Sequence, residues 1–200
     1  MTPAFVLRYR HVNALGVTDM AAHSALAPAL IFDHRVRHSE VMTDDKDALL
    51  ASLNAQREHI LGILDGLSAQ ELRRPVLPTG WTCLGLVHHL AVDVERFWFR
   101  MAVAGEQVEL DPNGWQVPAG MSDAAVFDLY QDEITQADAI IAATPLDAMP
   151  KHWPAEIFPH FPARPLLRTV LHVITETAAH AGHLDAAREL IDGKTWLILG

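Results

Sequence analysis

The sequence predicts an all-α protein, a four-helix bundle joined by two long loops and preceded by a poorly structured N-terminal extension. Three observations carry that prediction. Four windows repeat apolar residues at intervals of three, four and seven, the signature of a helix with one buried face. Glycine and proline clusters separate those windows. No run alternates apolar and polar residues as a half-buried strand would. Four amphipathic helices bury their stripes together most simply as a bundle.

Residues 1–41 stand apart, with four arginines, no lysine and no sustained period. Arg8, Arg10 and His11 interrupt the only apolar run that could serve a secretory signal, and Asp19, Asp33 and Glu40 do not suit an organelle leader. The expectation is an unstructured extension over 1–41 and a metal-binding bundle over 42–200. Met42-Thr-Asp-Asp-Lys-Asp reads as a natural start ahead of a helix; finding residues 1–41 on the native protein by mass spectrometry would exclude it as the start.

The first helix is expected from about Lys46 to Leu67, with Leu49, Leu53, Ile60, Leu64 and Leu67 on one face. Ser68-Ala-Gln-Glu71 resembles a capping box for one further turn. The second helix is expected to start at Thr82 as N-cap and run to Val103, with Leu86, Leu90, Val94, Phe97 and Met101 as its seam. Gly105 stops it. The third opens at Ser122-Asp123 and ends before Pro145, burying Val126, Tyr130, Ile134, Ala137 and Ile141. The fourth runs from Pro165 to Gly193, burying Leu167, Val170, Ile174, Ala181 and Leu184. The connections near 105–121 and 145–164 carry Trp115, and Trp153, Phe158 and Phe161 among five prolines. Connections of that length are usually functional or disordered, and the prolines and aromatics favour an ordered cover over a floppy one.

Composition excludes several partners. A net charge of −10 without a basic stripe argues against nucleic acid. No apolar stretch reaches the ~20 residues that span a bilayer. Cys83 is the only cysteine, so an intrachain disulfide and a cysteine-built zinc site are both excluded, which suits a cytoplasmic protein. The remaining partner is a small-molecule substrate; exposed bundle faces leave a homodimer open.

Twelve histidines are the unusual feature. His172, Glu176 and His180 are spaced by four, so neighbours differ by only about 40° around the helix, and His183 falls in the same stripe. Side chains at i and i+4 can grip one ion, and ionisable groups in such a line need water, hydrogen bonds or a cation. An ordinary i,i+4 surface pair explains Glu176 and His180 as well. A further ligand must come from a facing helix, where His88 and His89 are adjacent; periodicity does not choose between them.

The segment Thr79-Gly-Trp-Thr-Cys-Leu-Gly-Leu-Val-His-His-Leu-Ala-Val-Asp-Val-Glu-Arg-Phe-Trp98 resembles the second-helix signature of the DinB-like superfamily. Glu176-Thr-Ala-Ala-His180-Ala-Gly-His183 resembles its second element. The nearer branch contains the metal-binding domain of mycothiol-dependent maleylpyruvate isomerase, and the resemblance extends over about residues 42–193. It implies one divalent ion, zinc ahead of nickel, held by His89, Glu176 and His180. His172 and His183 would then stand beside the metal, orienting ligands, with His88 as a further neighbour. That isomerase carries an additional C-terminal domain with no counterpart up to Gly200, so the expectation narrows to the metal domain and its low-molecular-weight thiol. Two imidazoles and a carboxylate leave open positions, as catalytic sites do. The expected function is a mycothiol-type, thiol-dependent transferase or isomerase acting on small electrophiles. A metal-dependent hydrolase, or a non-catalytic helical metal-binding protein, are the alternatives. Arg96 and Arg100 could meet carboxylates of a thiol cofactor or simply form surface salt bridges.

Overall fold

The computed structural model describes residues 34–196, with side chains from Asp45 onward. The elements are α1 (His34–Ile63), α2 (Ala69–Leu72), α3 (Cys83–His89) continuing directly into a π-helical segment (Leu90–Val103), α4 (Asp123–Ala143) and α5 (Leu166–Asp192). Among the described residues the protein is all-helical, as the sequence predicts.

α1 begins earlier than expected. Residues 34–41, read from sequence as part of an unstructured extension, are helical. No glycine or proline interrupts the chain from His34 to Leu61, so nothing forces a break near Met42. Residues 1–33 and 197–200 lie outside the described residues, and with them the leader readings and the rest of the expected extension.

Most helix ends follow the capping chemistry of the sequence. The Ser68–Glu71 box forms, with the Glu71 amide donating to Ser68 Oγ at 3.3 Å and the Ser68 amide donating to Glu71 Oε2 at 2.8 Å. Thr82 Oγ1 accepts from the Gly85 amide at 3.0 Å, and Ser122 Oγ from the Ala125 amide at 3.1 Å. Pro165 is the N-cap of α5 rather than its first helical residue, and Gly193 closes α5 at φ 77°.

The second long helix reaches Val103 as expected, but its winding changes at Leu90 to i→i+5 hydrogen bonds. That widens the spacing of the buried positions. Leu90, Ala91, Glu95, Phe99 and Ala102 are the deepest, whereas Phe97 and Met101 of the expected seam are shallower. The α5 stripe is also turned relative to expectation. Leu166, Val170, Val173, Thr177, Ala181 and Leu184 are buried, while Leu167 is exposed.

The helices pack around one core. α4 lies along the π-helical segment and α1 along α5, while α3 touches α4 and α5. Leu53, Ile60, Leu84, Leu86, Val126, Ile141 and Leu184 are among its fully buried members. Tyr130 is fully buried there, and its hydroxyl has no hydrogen-bond partner among the described residues. A buried orphan hydroxyl costs about 1–3 kcal/mol in desolvation. Tyr130→Phe is therefore expected to leave the urea midpoint unchanged or to raise it, by up to about 1 kcal/mol of stability. A clear fall in the midpoint would reveal a partner for that hydroxyl. No helix among the described residues is long and apolar enough to cross a membrane.

Candidate functional site

The last turn of α3 and the middle of α5 bring the histidines together. The His89 and His180 rings meet edge to face, their centroids 5.1 Å apart at 80°. His89 Nδ1 lies 2.8 Å from Asp93 Oδ2, one turn along the helix. A carboxylate only accepts, so Nδ1 carries the hydrogen, and in the neutral tautomer the lone pair is on Nε2.

His180 is nearly buried. Its Nε2 lies 3.8 Å from Glu176 Oε2, and its Nδ1 lies 3.4 Å from His183 Nδ1. Burial, helped by the neighbouring His89 and His183, pushes the His180 pKa down to about 4. The imidazole is thus neutral at pH 7, with a lone pair to offer a ligand.

Two tryptophans border these histidines. Trp115, from the connection between the π-helical segment and α4, stacks on His89 at 4.0 Å and 17° and meets the edge of His180 at 5.4 Å. Trp81 lies against His183 at 6.2 Å. Of the four loop aromatics expected to line or cover a pocket, Trp115 is the one against these histidines. Trp153 and Phe158 pack instead on Trp98. Phe161 touches Phe158, and its carbonyl accepts from Trp153 Nε1 at 3.0 Å.

The other expected residues separate. His172 faces Trp98 edge-on at 4.8 Å, and burial lowers its pKa. It belongs to the aromatic cluster one turn from Glu176. His88 is buried, with Nδ1 2.7 Å from the Gly114 carbonyl oxygen. Arg96 and Arg100 both bind Glu133, and Arg100 also binds Glu106, the salt-bridge alternative for these arginines.

As placed, no three His, Cys, Asp or Glu side chains among the described residues converge closely enough to hold a metal ion. The donors nevertheless suit one in kind. Two imidazoles touch, a carboxylate lies one turn away, and Asp93 holds His89 Nδ1 as outer carboxylates do for metal-binding histidines. Sequence reading missed two participants. Asp93 was legible as the i+4 neighbour of His89; Gly114 carries no local signal, because its role depends on where the loop lands.

Searches of curated proteins and of solved structures returned no match. A family model described as mycothiol-S-transferase, a DinB-like family, matches residues 48–193.

Proposed function

The chain belongs to the mycothiol-S-transferase family, and we propose that it transfers mycothiol to small electrophiles at a divalent metal centre held by His89, Glu176 and His180. The observation that carries this reading is the contact of two imidazoles, His89 and the neutral His180, with Glu176 one turn along α5 and Asp93 on His89 Nδ1. The helices that carry these three side chains, α3 and α5, are already in contact. Zinc suits this donor set first and nickel second.

A bound divalent cation would lower the pKa of a coordinated thiol and so supply a thiolate at neutral pH. The chain's own residues do the rest. Asp93 holds the His89 proton on Nδ1, which keeps Nε2 free for a ligand. Trp115 shields one face of the His89–His180 pair from water. In the overall reaction a C–S bond forms at the electrophilic carbon, the leaving group departs with its electron pair, and the thiol proton passes to water.

The test is mycothiol-dependent conversion of a chromogenic small electrophile by untagged, zinc-loaded protein. Activity should vanish on chelation and return with zinc; conversion unaffected by chelation would exclude the metal reading. Asp93→Ala should weaken zinc affinity by about 10–100-fold, as loss of such outer partners does elsewhere. Competition with a zinc-sensitive dye measures it.

A further inference from the structure

We propose that His88 is a positioning residue that latches the 105–121 connection over the His89–His180 pair, making that loop a fitted cover with the Trp115 indole as its inner face. The inference rests on the reading of that pair as the working centre. Adjacent residues on a helix project about 100° apart, so α3 offers one imidazole to the loop and the next to the centre.

The latch is one buried hydrogen bond. His88 is almost fully buried, and its Nδ1 lies 2.7 Å from the Gly114 carbonyl oxygen. A carbonyl only accepts, so Nδ1–H donates. The loop backbone lies unusually close to α3 and the π-helical segment at two glycines. A Cβ on Gly114 would overlap the Asp93 carboxylate, and one on Gly85 would overlap the Trp115 carbonyl oxygen. Gly114 therefore packs against the group that holds His89 Nδ1, and the next residue, Trp115, stacks on the His89 ring. One bond thus sets two contacts on His89, its stacking partner and the packing of its carboxylate. Removing the donor would leave a buried carbonyl unpaired. The loop is the element free to answer by lifting, since 106–107, 109–110, 112–113, 115–116 and 118–120 are exposed and the outer side of Trp115 faces solvent.

The experiment uses the full chain labelled with 5-fluorotryptophan, the Trp115 fluorine resonance being identified with Trp115→Phe. Without metal, His88→Leu should move that resonance toward its unfolded position and increase cleavage within 105–121, with helical circular dichroism retained. His88→Asn places an amide donor near the Nδ1 position and should restore the native resonance. Gly114→Ala, with His88 intact, should reproduce the shift by colliding with Asp93, and it carries the test if His88→Leu does not fold. An unmoved Trp115 resonance in the folded variants would overturn the latch, as would failure of His88→Asn to restore it. These metal-free readings stand apart from the metal centre. If wild type takes up no zinc while the resonance behaves as described, the metal reading fails and the latch survives.

Discussion

Replacing Arg57 by methionine is expected to destabilise the protein by about 3–5 kcal/mol. Arg57 and Glu95 are both buried to within 2% of full exclusion. They form a two-bond fork, Nη2 to Oε2 at 2.7 Å and Nε to Oε1 at 2.8 Å. Nη1 completes the arrangement by donating to Asn54 Oδ1 and Asp138 Oδ1, both at 2.7 Å. Burial raises the Glu95 pKa, and the bonds from Arg57 oppose that rise. Without Arg57 the carboxylate is buried with no counter-charge, the situation that makes half-removal of an ion pair costly. For a domain of this size the loss corresponds to a midpoint fall of roughly 6–20 °C. The double variant Arg57→Met/Glu95→Leu should recover most of it, because removing both charges also removes the uncompensated one. Thermal melts of the wild type, the single and the double variant separate the causes. A double variant as unstable as the single would mean that packing of the arginine stem, not charge, accounts for the effect.

The second large effect concerns the proposed ligands. His89→Ala, Glu176→Ala and His180→Ala should each abolish metal retention through purification, while helical circular dichroism persists. Asp93 acts on the metal only through His89, so its loss is expected to cost less than loss of a direct ligand. His172→Ala should leave metal retention intact, because His172 faces Trp98 and the aromatic cluster. Elemental mass spectrometry of untagged protein checks all four. Retention in any of the three ligand variants would remove that residue from the set.

What the sequence made legible is what obeys local rules. The apolar stripes of α1 and α4, the Ser68, Thr82 and Ser122 caps and the Gly193 stop all depend on neighbours within a turn. The winding of the second long helix was not legible, because a seam read at 3.6 residues per turn selects Phe97 and Met101 and passes over Phe99 and Glu95. The Arg57–Glu95 fork joins residues 38 positions apart, and no spacing rule reaches across two helices. The site divides in the same way. The stripe of Glu176 and His180 could be read from α5 alone, whereas the choice between His88 and His89 needed family resemblance. The different duties of those two histidines follow from the 105–121 loop, whose landing on α3 is a tertiary event.

The most direct measurement of the central claim is the absorption spectrum of cobalt(II)-substituted protein titrated with mycothiol. The account predicts a thiolate-to-cobalt charge-transfer band in the wild type that saturates at one thiol per chain and is absent in His180→Ala. Stoichiometric cobalt with no such band at saturating mycothiol, or a band of equal strength in His180→Ala, would contradict it.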